Sequence, residues 1–401
     1  MNPSAQGWID KFASLIKITE LLCSNSEALH KELRKYGFIY GANVMIPKEI
    51  SSPSLLSEDE MAKVNLLYAH YCIYLLNQQK KVSFSDFVDS LLEFYEELES
   101  EKISFFDTLL QGKKKTSRLE KVIHNRVYIL ENIFTKNFHK VLTNSLVYID
   151  VIVYQKYLNG EKDIKSAAHL LEHILVNLAY HAITMKQEKS ENDIQLLKLL
   201  NASLVYHAAS EKEFDGNYRI LLTKDFNLIE KMYFLDMVCL SAWEDHSLNY
   251  KESEFIFGTA IDLQLPKDYA QEAIQHVSIF FDKHKDEVSL FKNANPVKQF
   301  FDNSHALVKK LITRNSKRLK KELEGSKELV YLLGKSTTKE LTVEERKKIR
   351  EQLLDIFKTV PSLAIFALPG GAILLPIFIK MIPNLLPSAF DDNRVEEDIE
   401  E

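Results

Sequence analysis

From Ser57 onward, apolar residues recur at i, i+3, i+4 and i+7 almost without interruption, the spacing of helices that bury one stripe. The pattern predicts helices over 58–79, 83–100, 104–111, 117–134, 137–158, 162–185 and 192–210. Two of them open on recognisable caps. Ser57 precedes Glu58, Asp59 and Glu60, and Ser83 leads Phe84, Ser85 and Asp86. Upstream, Trp8, Phe12, Leu15, Ile16 and Leu22 share one helical face. Gly37, Gly41, Pro47 and Pro53 punctuate the stretch after it, where 38–40 and 43–46 read as short extended pieces.

Gly216 marks a boundary, and a second helical set follows over 227–243, 251–263, 268–283 and 286–293. Pro296 marks another break, ahead of a helical stretch over 297–333. Thr342 with Glu345 forms a capping box for a helix that runs into 359–379, 21 residues without a charge between Lys358 and Lys380. The expected architecture is all-α, a multi-helix array with a C-terminal Pro-kinked hydrophobic membrane segment. The domains are an N-terminal helical domain at 1–215, a helical bundle at 216–295 and a basic connector at 296–340. The membrane segment at 341–390 and an acidic tail at 391–401 complete the chain.

Composition agrees with that reading. The 401 residues hold only 11 Gly and 10 Pro, which argues against sandwiches, barrels and disorder. Net charge is −6, and the tail 391–401 alone, with seven acids and one Arg, accounts for it. Nothing global therefore points to nucleic acid, and no DNA partner is expected. Three dispersed cysteines, Cys23, Cys72 and Cys239, exclude a disulfide framework and fit a reducing compartment. No secretory signal is expected, because Asp10, Lys11, Lys17 and Glu20 interrupt the first apolar stretch.

Four features carry candidate chemistry. His169, Glu172 and His173 match the H-x-x-E-H pattern of inverted zinc proteases, with both His on one helix face; helix-edge histidines without metal are the competing reading. Asp245 in a loop and Glu252 on the next helix's first turn would hold a divalent ion weakly; a cap and a dipole partner would use the same residues. The run Lys309, Lys310, Arg314, Lys317, Arg318, Lys320 and Lys321 places seven bases in thirteen residues. It lacks interleaved aromatics, so phosphates of lipid or RNA, not bases, are its natural contacts; a merely solvated helix face is the competing reading. The uncharged segment is the fourth. As a straight helix its 21 residues would span about 31 Å, against about 30 Å of hydrocarbon. Pro361, Pro369, Pro376, Pro383 and Pro387 are half of all the prolines, so that helix must kink or break, with Gly370 and Gly371 as a hinge; an apolar hairpin buried inside a soluble protein is the competing reading.

Two resemblances follow from these residues. Ala242, Asp245 and Glu252, in the context of 229–281, resemble the tellurite-resistance TerB-like helical domains, with His246 where glycine is usual. That likeness implies divalent-metal binding and membrane-associated stress complexes. The block 355–390, with its five prolines and its Pro383-Asn384-Leu385-Leu386-Pro387-Ser388 ending, resembles the transmembrane block of the LETM proteins (leucine zipper, EF-hand, transmembrane). The resemblance implies a mitochondrial-inner-membrane type of location, cation/proton exchange and ribosome association. It also departs from the family. Ala372 stands where members often carry an intramembrane glutamate, and only eleven residues follow Phe390. The N-terminal region is similar to LETM-related, biofilm-associated proteins of Bacteroidota.

The expected function is accordingly a non-enzymatic LETM-related scaffold or assembly factor at a bacterial inner membrane. Bases at Lys339, Arg346, Lys347, Lys348, Arg350 and Lys358 keep the bulk of the chain cytoplasmic. The expected partners are membrane lipids, other membrane proteins or a second copy, and, through the resemblance, the ribosome. No cofactor is expected beyond the weak divalent ion. The alternatives are a LETM-type exchanger or channel subunit, and then a zinc hydrolase.

Overall fold

The computed structural model describes residues 1–16, 24–50, 56–78, 83–99, 114–133, 144–186, 189, 191–207, 218–243, 250–284, 308–360, 363, 366 and 374–387. The described residues form helices and turns and no strand. The first eight helices are α1 (Trp8–Leu15), α2 (Ser26–Lys35), α3 (Glu58–Asn77), α4 (Phe84–Glu99), α5 (Lys115–Ile133), α6 (Tyr148–Leu158), α7 (Ile164–Met185) and α8 (Glu191–His207). Then come α9 (Tyr218–Leu222), α10 (Leu228–Ala242), α11 (Tyr250–Asp262) and α12 (Lys267–His284). The C-terminal helices are α13 (Ser316–Glu324), α14 (Lys327–Lys335), α15 (Val343–Thr359) and α16 (Leu375–Leu385). The helices expected at 104–111 and 286–293 lie outside the described residues.

Two helices are buried almost all round, α3 and α10, and most of the others pack on them or on α7. Every residue of α3 from Lys63 to Tyr74 is buried, and α10 is buried from Met232 to Ala242. Such a helix has no solvated stripe and must lie at the centre. α3 carries α5 and α6, α7 carries α6, α8 and α10, and α10 also carries α12. The caps read from sequence form: Ser57 with Glu60 and Thr342 with Glu345 both make reciprocal capping boxes.

One apolar core runs through all of these helices, including across the expected boundary near 215. α10, which opens the second helical set, packs on α7 and α2. It also contributes a buried charge to the N-terminal helices. Asp236 Oδ2 accepts from Arg34 Nε at 2.9 Å and pairs with His30 Nε2 at 2.7 Å, and His30 Nδ1 meets the Tyr148 hydroxyl at 3.0 Å. Burial alone would push the Asp236 carboxyl up; Arg34 and His30 outweigh it and hold it below the usual range. A second buried pair joins α5 to α6. Arg126 donates to both oxygens of Asp150, at 2.6 and 2.7 Å, and the Tyr95 hydroxyl adds a third bond at 3.1 Å.

Two expectations need correction. Residues 36–41 form turns, so 38–40 is not the extended piece expected, whereas 43–46 is neither helix nor turn nor paired strand. Gly37 sits at φ 78°, the Phe38 amide donates to Leu33 O, and the Gly37 amide donates to Arg34 O. This is a Schellman C-cap, which needs a left-handed residue at that point. The chain then turns tightly enough for Val44 N to reach Tyr36 O. The second correction concerns the apolar C-terminal run. It is not one spanning helix, and among the described residues no helix is long and apolar enough to cross a membrane. α15 ends at Thr359, Val360 is extended (φ −116°, ψ 91°) as a residue before proline prefers, and α16 starts only at Leu375, with Pro376 in its first turn. Eleven residues of α16 reach about 16 Å, half of a bilayer core.

Candidate functional site at the C-terminal helices

Helices α13 to α16 form the site that the sequence singles out. α14 and α15 pair through their polar faces. Lys348 donates to Glu328 at 2.7 Å, Gln352 to the same carboxylate at 3.0 Å, Ser326 to Gln352 at 2.6 Å and Lys335 to Glu345 at 2.6 Å. Their apolar residues, with Leu329, Leu333, Ile349 and Leu353 fully buried, face inward.

α16 is docked on the protein itself. It packs on α8 and α14, and Phe378, Ile379 and Ile382 are fully buried. Phe378 closes a cluster of three rings, 4.9 Å from Phe366 and 5.3 Å from Phe357 between centroids. Pro376 is buried at its start and Pro383 is half-buried within it. Lys380, Asn384 and Pro387 point to solvent. Pro361, Pro369, Gly370, Gly371 and Ala372 lie outside the described residues.

The basic run splits into a helical piece at 308–314 and α13. Val308, Ile312, Leu319 and Leu323 are fully buried, and this apolar stripe turns the bases outward. Lys309, Lys310, Arg314, Lys317, Arg318 and Lys321 are all exposed. Among the described residues only Lys320 of this run has an ion pair, to Glu324 at 3.7 Å. A face of six unscreened cations therefore borders the LETM-like block.

The two candidate metal sites fare differently. Asp245 lies outside the described residues, and Glu252 is buried on the first turn of α11. His169 and Glu172 lie on α7, with Nδ1 and Oε2 3.9 Å apart. His169 is pushed down to about 4, by burial first and then by the positive charge of Arg350 on α15. Burial likewise lowers Arg350, and the Glu172 carboxylate opposes that shift. His169 and Glu172 thus both feel the charge of Arg350, while His173 Nε2 meets the Asn177 side chain of its own helix at 3.2 Å. Among the described residues no group of three potential ligands is placed to hold a metal ion.

Sequence reasoning missed the role of Arg350, which sits 178 residues after Glu172 and carries no motif of its own. It also missed the buried pairs Arg34–Asp236 and Arg126–Asp150, which no local pattern marks.

Comparison with known proteins places the similarity in this C-terminal region. Residues 341–400 match the family described as LETM1-like, RBD. The LETM1 domain-containing protein mdm28, mitochondrial, of Schizosaccharomyces pombe is 38% identical over 82 residues, 20% of this chain. The chain thus matches only 17% of that relative's length. No solved structure matches. Residues 341–400 are LETM1-like, and through them the chain is LETM-related.

Proposed function

We propose that this chain is a membrane-associated scaffold or assembly factor without catalytic chemistry, which docks on anionic lipid through the basic face of 308–324. The observation that carries the reading is that face: six exposed cations fixed by a buried apolar stripe, beside the LETM-like block. Each base close to an anionic leaflet contributes about 1 kcal/mol. Six of them give at most about 6 kcal/mol, a partition constant on the order of 10⁴ M⁻¹. That suits reversible recruitment. Docking by charge leaves α16 in place, whereas inserting the apolar run would strip Phe378, Ile379 and Ile382 from the core.

Vesicle sedimentation tests the proposal. The full chain should bind vesicles containing one-third phosphatidylglycerol and ignore pure phosphatidylcholine. Binding should weaken steeply with salt, because screening at 0.1 M already acts over about 10 Å. Lys310→Glu, Lys317→Glu and Lys321→Glu together should abolish it. Equal binding by the triple variant, or capture by ribosomes with no lipid preference, would overturn the lipid reading.

A further inference from the structure

A cavity of about 340 Å³ opens near the N-terminus, far in sequence from the LETM-like block, and nothing in the scaffold proposal uses it. It lies between the start of α1, the second turn of α3 and the first turns of α5. Those elements are tied together around it. The Ile9 amide donates to Glu120 Oε1 at 3.1 Å, and the Gln6 side chain donates to Ser117 Oγ at 3.4 Å. The Glu120 carboxylate is therefore committed to the α1 backbone.

The unusual lining residue is Lys63. It belongs to the buried stretch of α3 and is 5% exposed, yet its side chain lines the cavity. Among the described residues no hydrogen bond or ion pair holds its ammonium. Glu60, one turn earlier, is engaged with Ser57 in the capping box and acts on Lys63 through its charge, without an ion pair. An ammonium taken largely out of water normally finds a carboxylate, since leaving it unpaired is costly. Two more basic groups, Lys121 and His124, line the same cavity. Burial first, and then the charge of Lys63, lower His124, with Asp59 opposing. Lys63 and Lys121 against Glu120 leave the lining positive even with His124 neutral. Trp8 supplies an apolar wall, and the volume falls at the lower end of ligand pockets, about 300–1,000 Å³.

We propose that this cavity is a binding site for a small anionic metabolite carrying a phosphate or carboxylate group, with Lys63 as its principal contact and Trp8 as its apolar wall. The anion supplies the direct partner that Lys63 lacks among the described residues, where Glu60 acts only through its charge and makes no ion pair with it, and the ring covers the rest of the molecule. The Ser117 hydroxyl on the rim is a further donor to the same group.

Calorimetry on the full chain at constant ionic strength tests this, with inorganic phosphate, glycerol 2-phosphate and citrate as probes. At least one probe should bind saturably at a single site, and the preference between the first two and citrate identifies the head group. Lys63→Met keeps the apolar stem and removes the charge. It should weaken binding by about 10-fold or more, the worth of one charge-assisted hydrogen bond, with an unchanged circular dichroism spectrum. Lys121→Gln leaves α3 untouched and should weaken binding several-fold, which gives a second reading should Lys63→Met fold poorly. Absence of saturable binding by all three probes would overturn the proposal. So would an unchanged affinity in Lys63→Met or, where that variant does not fold, in Lys121→Gln.

Discussion

Replacing Phe378 with alanine tests whether the apolar C-terminal run is part of the helical core. Phe378 is fully buried, and its ring meets Phe366 and Phe357 at 4.9 and 5.3 Å. Truncating a buried phenylalanine costs about 3–5 kcal/mol, the spread depending on how far the site collapses. Here the neighbours are two more rings, held by α15 and by the turn after it, and collapse onto alanine is restricted. Each ring pair contributes about 0.5–1.5 kcal/mol beyond area burial, which places the expected loss in the upper half of that range. Asn384 lies on the same helix but is exposed, so Asn384→Ala should change stability by no more than about 0.5 kcal/mol. The assay is urea unfolding without detergent, followed by near-ultraviolet circular dichroism, with hydrogen exchange on 375–385 as the local readout. Phe378→Ala should lower the midpoint at constant slope and speed exchange throughout α16. If both variants unfold like the parent, or α16 amides exchange freely in the parent, the helix is not docked on α8 and α14.

Arg126→Met should cost about 3–5 kcal/mol in the same assay, because it leaves the Asp150 charge buried without its main partner; adding Asp150→Leu should recover part of that loss. His70, wedged among Phe94, Tyr95 and Tyr154, is pushed down by burial to about 4. The unfolded chain therefore binds more protons between its ordinary value near 6.5 and about 4, and stability falls as pH drops through that window. His70→Phe should flatten the decline; a parent curve flat from pH 7 to pH 4 would contradict the assignment. In reconstituted vesicles the chain should drive no proton-coupled cation exchange, since Lys380 is the only ionisable side chain among the described residues of 374–387 and a proton carrier in lipid must titrate. Robust pH-driven flux would refute this.

The features legible in the sequence are those set by near neighbours. Low Gly and Pro content with 3.6-residue periodicity implied an all-helical chain, and Ser57 with Glu60 and Thr342 with Glu345 marked helix starts that form as read. The prolines announced that the apolar run would break, since proline denies the backbone bond wherever it sits. What the run packs on was not legible. Its partners on α8 lie about 180 residues earlier, and an uncharged stripe looks the same whether lipid or protein covers it. Nor does the sequence around Gly216, read as a boundary, mark the tie that crosses it, since Asp236 reaches Arg34 across 202 positions. The H-x-x-E-H match, read as the last of the alternatives, describes only the helix it lies on; the charge of Arg350, which reaches His169 and Glu172 from α15, is not in it.

The Asp236 tie also sets a schedule for making the protein. His30 and Arg34 leave the ribosome early, while their carboxylate follows 206 and 202 residues later. At about 5–20 residues per second that interval lasts roughly 10–40 s, far longer than a helix needs to form. During it α2 has no lasting place to bury its charges, and the aromatic wall around Tyr148 stays unsealed. N-terminal domains commonly finish folding during synthesis; this one must wait for α10. Slowing translation between α7 and α10 should therefore prolong its dependence on chaperones, whereas pauses after residue 242 should not.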